Sequence, residues 1–181
     1  LIAVKVFDGS GSGTLANVLA GIDWIVGRAR PNGAVANLSI DAQVVIESVN
    51  TAVNGAVTAG VVMVVAGGNG NVDACTTSPA SAAKAITVGA TSPDDSRAYF
   101  SSGRESNFGI CIDIFAPGRS IISAKTNTFA GSLSLSGTSM AAPHVAGVAA
   151  LLLEEDPGIS PAEVLAKMLA SATADVVTNP G

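Results

Sequence analysis

The residues best suited to chemistry in this 181-residue chain lie in one short segment, residues 137–147, which reads Gly-Thr-Ser-Met-Ala-Ala-Pro-His-Val-Ala-Gly. The segment puts the hydroxyl of Ser139 at the start of an apolar helix, where unpaired first-turn amides and the helix dipole favour developing negative charge. A serine nucleophile gains from that position. It still needs a base, because a free hydroxyl is a weak nucleophile at neutral pH. The single histidine, His144, follows on the same helix, about 140° round the axis, so it cannot accept the Ser139 proton. His144 reads instead as a core or helix-packing residue. The plainer account of Ser139 is that it only caps the helix.

A second candidate is Ala66-Gly67-Gly68-Asn69, at the end of an apolar run over residues 61–66. The carboxyl end of a buried parallel strand is where such sheets place their ligand crevices. Taken alone, Asn69 is an ordinary turn residue or part of a phosphate loop, and the latter lacks the GxGxxG or GxxxxGK(S/T) spacing. Cys75 and Cys111 have no nearby histidine to complete a zinc set, so a disulfide is favoured over a metal site. Two buried free thiols are the alternative.

Elements that can position these residues are legible along the chain. Residues 1–7 form an apolar run that reads as a strand entering a Gly- and Ser-rich loop. Leu15, Val18, Leu19, Ile22 and Ile25 recur at helical spacing, and Pro31-Asn32-Gly33 closes that segment. Residues 34–40 read as a strand, and Val45, Ile46, Val49, Val53 and Val57 trace a second helix ended by Gly60. Residues 61–66 are uniformly apolar, as a strand buried on both faces should be, and residues 85–88 look like its successor. Residues 96–107 read as polar and irregular, residues 111–115 as a short strand, and residues 120–136 as hairpin strands.

The helix over residues 139–153 is apolar all round and is expected in the middle of the domain. A last amphipathic helix starts near Pro161, with Ser160 as cap, Glu163 at its third position, and Val164, Leu165, Met168 and Leu169 as its stripe. Strand and helix alternating at short intervals predict an α/β fold, a doubly wound, mainly parallel sheet with helices on both faces.

Composition excludes several classes. A 48% hydrophobic and 13% charged chain is globular, and a net charge of -5 repels phosphate backbones, so nucleic acid is not an expected partner. No apolar run reaches the roughly 18 residues of a membrane span, so no membrane partner is expected either. The first residue is Leu1 and no signal-peptide pattern follows it, which predicts a start left by processing or by a preceding segment.

The eleven residues 137–147 resemble the active-site serine signature of the subtilisin-like serine proteases. The resemblance runs along almost the whole chain and is closest to the proteinase K and aqualysin branch. It includes Val4-Lys5-Val6, Ala20-Gly21-Ile22-Asp23-Trp24, Val35-Ala36-Asn37, Ser78-Pro79-Ala80-Ser81, Thr87-Val88-Gly89-Ala90 and Phe115-Ala116-Pro117-Gly118, all in family order. It implies a secreted serine endopeptidase in which Ser139 is the nucleophile, and Asn69 and the Ser139 amide hold the oxyanion. By the same match, Ala66, Gly67 and Gly68 form one wall of the pocket for the residue preceding the scissile bond, and residues 39–41 form the other.

The match departs from the family at that second wall. Where the family has Ser-Leu-Gly-Gly, an exposed backbone that pairs with substrate as an added strand, this chain has Ser39-Ile40-Asp41-Ala42. Either the register slips by one residue here, or Asp41 alters peptide binding.

The resemblance also pairs Cys75 with Cys111, in an oxidising, extracellular setting; Gly9 replaces a further cysteine of that branch. It offers a structural calcium site made of Asp113 with the carbonyls of Ala83 and Ala85, oxygen ligands that suit the ion. Ala83 replaces a proline there, and residues 101–107 carry an insertion. No cofactor is needed for the chemistry. The family's catalytic aspartate and histidine precede the segment matching residues 1–8, and Asp8 matches a later strand and loop rather than the triad.

The expectation is therefore that residues 1–181 are the C-terminal part of a single peptidase domain, one half of a nicked enzyme or part of a longer sequence, which would not fold alone. Expected partners are protein or peptide substrates, the absent segment as a separate chain, and a proteinaceous inhibitor. The alternative is a catalytically inert module that binds peptides or inhibits.

Overall fold

A computed structural model describes residues 1–29, 33–126 and 128–181. Its centre is a sheet of four parallel strands, β1 (Ala34–Leu38), β2 (Val61–Ala66), β3 (Ile86–Thr91) and β6 (Ile114–Pro117), in that spatial order. Strands β2 and β3 are buried along their whole length, which explains why β2 is apolar at every position rather than at alternate ones.

Successive β2 side chains serve opposite layers. Val61, Met63 and Val65 pack with Ile22 of helix α1 (Leu15–Val26) and with Val49 and Val53 of helix α2 (Glu47–Thr58). Val62 and Val64 pack with Ala142, Val145 and Ala149 of helix α3 (Thr138–Glu155) and with Val164 and Met168 of helix α4 (Pro161–Ser171). The doubly wound α/β expectation holds in these layers.

Local chemistry sets the helix ends. The Thr14 hydroxyl accepts from the Asn17 amide and caps α1. Ser160 and Glu163 form a reciprocal capping box at α4, as expected. Two small antiparallel pairs complete the fold, β4 (Tyr99–Ser101) with β5 (Arg104–Glu105), and β7 (Ile121–Ala124) with β8 (Ser132–Leu135).

Several expectations are corrected. Residues 1–7 pair with no strand among the described residues; Val4 and Val6 lie instead against Gly21 of α1. An apolar run shows only that a segment packs, whereas a strand also needs a neighbouring backbone. Residues 99–105, expected to be irregular, form the β4–β5 hairpin around Gly103, whose φ of +72° suits a tight turn.

Cys111 lies in a turn rather than a strand, and β6 begins only at Ile114. Helix α1 stops at Val26; Pro31 and Asn32, the expected stop, lie outside the described residues. Helix α3 does not lie in the middle of the domain, because it buries only the stripe through Thr138, Ala141, Ala142, Val145, Ala149 and Leu153. Val148 and Leu151 on its other side are 42% and 64% exposed.

Candidate active site

The sheet's carboxyl edge and the start of α3 bring the candidate residues together. Ser139 is the second residue of α3. Its hydroxyl donates to the Ser39 carbonyl at 3.3 Å, a weak bond just beyond the end of β1. The Ser39 hydroxyl returns the contact, donating to the Ser139 carbonyl at 2.8 Å while accepting from the Asn37 side-chain Nδ2 at 2.9 Å.

Pro143 explains why that carbonyl is available. The residue four places after Ser139 would ordinarily donate to it, and proline has no N–H. The strand-end hydroxyl of Ser39 fills the vacancy and ties the end of β1 to helix α3.

Asn69 follows β2 across Gly67 and Gly68. Its side-chain oxygen accepts from the Thr138 amide at 2.8 Å and from the Thr138 hydroxyl at 3.1 Å. The Thr138 hydroxyl in turn accepts from the Gly68 amide at 3.1 Å. A backbone N–H only donates, so the end of Asn69 facing Thr138 must be the oxygen. The NH₂ end is left without a partner among the described residues, and the Ser139 amide, in the first turn of α3, lacks an intrahelical acceptor. A β-carbon at Gly137 would lie 3.5 Å from the Asn69 oxygen and 3.7 Å from its nitrogen, which places this side chain over the residue two before Ser139.

The reading of the sequence missed Asn107. It is fully buried, with its Nδ2 donating to the Gly67 carbonyl at 2.8 Å and its Oδ1 accepting from the amides of Gly70 at 2.9 Å and Val72 at 3.2 Å. Its backbone N–H donates to the Gly68 carbonyl at 2.9 Å. The loop carrying Asn69 is thus clamped from beneath. A polar residue in a stretch without periodicity carried no sign of this burial.

Asp41 stands between the two expected pocket walls. A β-carbon at Gly68 would meet Asp41 Oδ2 at 3.0 Å, while Asp41 Oδ1 accepts from the Gln43 amide at 2.9 Å. Ile40, beside it, is half-buried.

His144 is exposed on α3 with Nδ1 2.8 Å from the Met140 carbonyl, so it is neither a core residue nor a base for Ser139. The apolar stretch around it suggested burial, but α3 turns this residue away from its packed stripe. Asp8 closes its own loop, accepting from the Ser10 hydroxyl and from the amides of Ser10 and Ser12; these bonds, the Ser10 hydroxyl foremost, lower its pKa.

Cys75 and Cys111 form a disulfide with their α-carbons 5.3 Å apart, joining the turn at Ala74–Thr76 to the one before β6. Asp113 meets β3 through two contacts, its carboxylate accepting from the Thr87 amide at 2.8 Å and its own amide donating to the Thr87 carbonyl at 2.9 Å. Although the residue is exposed overall, the protein around its carboxyl raises the pKa, partly offset by the Thr87 amide. Neither ion pair among the described residues involves Asp113. No group of three or more His, Cys, Asp or Glu residues gathers among them, so a cation here would depend on carbonyls such as those of Ala83 and Ala85.

The sequence model of the Subtilase family matches residues 1–180. The chain belongs to the subtilase family. This subtilase chain is 46% identical over 179 residues to an extracellular serine proteinase of a Thermus species, covering 98% of the chain and 42% of that protein. It is 44% identical to the alkaline serine exoprotease A of Vibrio alginolyticus, covering 99% of the chain and 32% of that protein. The crystal structure of a cold adapted subtilisin-like serine proteinase superposes with a TM-score of 0.89 at 43% identity, over 97% of this chain and 61% of the other. The subtilisin-like fold is therefore shown, and the chain spans less than half the length of either curated relative.

Proposed function

We propose that this subtilase chain is the part of a serine endopeptidase that carries the nucleophile and the oxyanion donors. The observation that carries the reading is the anchored Asn69. With its oxygen held by Thr138, its NH₂ has no partner among the described residues and lies beside the start of α3, where the Ser139 amide likewise has none among them. Ser139 Oγ attacks the peptide carbonyl carbon, and its proton passes to a histidine oriented by an aspartate, both supplied by a segment outside this chain. The carbonyl oxygen takes up negative charge and receives the two N–H groups. The amine departs with the histidine's proton, and water then hydrolyses the acyl-enzyme.

The named relatives and the disulfide support secretion into an extracellular setting. Proteins and peptides are the proposed substrates, with the Asp- and His-bearing segment and a proteinaceous inhibitor as further partners. Residues 1–181 then form the C-terminal part of one peptidase domain. The chemistry needs no cofactor. The proposed structural Ca²⁺ ligands are the Asp113 carboxylate and the carbonyls of Ala83 and Ala85, oxygen donors of the kind this ion takes.

A second reading, an inert peptide-binding module, is favoured by the absence of an imidazole at Ser139 among the described residues and by Asp41 in the substrate cleft. Labelling of the whole protein by a fluorophosphonate, with the modified peptide located by mass spectrometry, separates the two. Modification of Ser139 supports the endopeptidase. A folded, unlabelled protein overturns it in favour of the binding module.

A further inference from the structure

Asp41 occupies a position that small residues would leave open. The subtilase resemblance makes residues 39–41 and 66–68 the two walls of the pocket for the residue before the scissile bond; in the structure they continue the paired strands β1 and β2, Ser39 touches Ser139, and the Asp41 carboxylate reaches Gly68. Its Oδ1 is fixed by the Gln43 amide at 2.9 Å, and its Oδ2 lies 3.0 Å from where a Gly68 β-carbon would be. A β-carbon at residue 68 would crowd the carboxylate.

Asp41 is half-buried as a residue, and the ion pairs among the described residues, Arg97 with Glu105 and Lys167 with Asp156, do not include it. A partly desolvated carboxylate is stabilised by a cation that donates hydrogen bonds to it and is disfavoured beside an apolar group that offers none.

We infer that Asp41 is a specificity-determining residue that selects a substrate with arginine or lysine immediately before the scissile bond. The inference rests on the endopeptidase reading for the identity of the cleft. The cationic side chain enters between the walls and donates to Asp41 Oδ2. Arginine is favoured over lysine, because its planar fork can engage both carboxylate oxygens. An apolar side chain in the same place strips water from the carboxylate without replacing its hydrogen bonds.

The test uses the whole protein and peptides differing only in the residue before the scissile bond. The expected result is kcat/KM about 10- to 100-fold higher for arginine than for leucine, the range of a charge-assisted hydrogen bond. Asp41→Asn removes that ratio, and Asp41→Gly, which restores the family's residue, turns it towards leucine. A second measurement needs no turnover: in Ser139→Ala protein, calorimetry compares peptides that end in arginine and in leucine.

Hydrolysis that favours leucine and does not respond to Asp41→Asn overturns the inference while leaving the peptidase reading intact. An equal gain for all peptides in Asp41→Gly also overturns it, because the carboxylate would then be a plug rather than a selector. If no peptide is cleaved but the arginine-ended peptide binds more tightly in an Asp41-dependent way, the peptidase reading fails and the selectivity stands. Equal binding of both peptides without cleavage overturns both.

Discussion

Asn107→Ala tests whether the loop carrying Asn69, the proposed oxyanion donor, is held from beneath or only by Thr138. The substitution removes the donor to the Gly67 carbonyl and the acceptor for the Gly70 and Val72 amides. Gly67 is buried, whereas Gly70 and Val72 are exposed, so only the carbonyl is stranded away from water. One stranded carbonyl costs roughly 1 to 3 kcal/mol, and each bond that water can partly replace about 0.5 to 1.5 kcal/mol. The loss of stability should therefore be about 2 to 6 kcal/mol, measured by urea denaturation of the whole protein.

Turnover should fall as well, because the loop carries Asn69. The ceiling is the loss of the donor itself, roughly 10² to 10³ in kcat, a range measured on subtilisin rather than worked out from this structure. A merely structural role is separated by a double mutant. If Asn107 acts through Asn69, adding Asn107→Ala to Asn69→Ala should leave kcat within about twofold, since the effects of residues acting as a unit are not additive. Wild-type kcat in Asn107→Ala, or full additivity of the two losses, would refute the positioning argument.

Asn69→Ala should lower kcat with little change in KM, because the donor acts on charge present only in the transition state; steady-state kinetics separates the two. Replacing Cys75 and Cys111 with serine should lower stability by about 2 to 4 kcal/mol, read from the denaturation midpoint. Glu163 has its pKa lowered chiefly by the Ser160 hydroxyl and then by the Ser160 amide. Its contribution to stability is thus present above the unfolded carboxyl pKa and lost as pH falls through the lower folded value; Ser160→Ala should flatten that acid limb in melts across pH. If Asp113 holds Ca²⁺, chelation should lower the Tm of the wild type but not of Asp113→Asn, and the calcium effect should fade at a higher pH than an ordinary aspartate would give, because its pKa is raised.

Much of the layer structure was legible because burial on two faces leaves a pattern. Strand β2 is apolar at every position and is packed on both sides by helices. The same inference failed for α3. An all-apolar helix predicts contact all round, yet Val148, Leu151 and His144 face outward, since composition shows what a helix can bury and not how many neighbours reach it. Residues 1–7 failed for a related reason, because strand pairing belongs to two segments and periodicity describes only one.

The site was legible to the extent that its residues lie near each other in sequence. Ser139 and Asn69 stood out as a helix start and a strand end, but the groups that fix them are distant. Gly68 shows why. In the sequence it is one glycine of a turn; in the fold its amide donates to Thr138, its carbonyl accepts from Asn107, and the space of its missing side chain is bounded by Asn107 and Asp41. Its φ of +99° is a conformation that favours glycine. The backbone demand alone would have been satisfied by any turn. The additional demand comes from Asn107, whose side-chain nitrogen would lie closest to a β-carbon there, with the Asp41 carboxylate next, and no local pattern in the sequence records it.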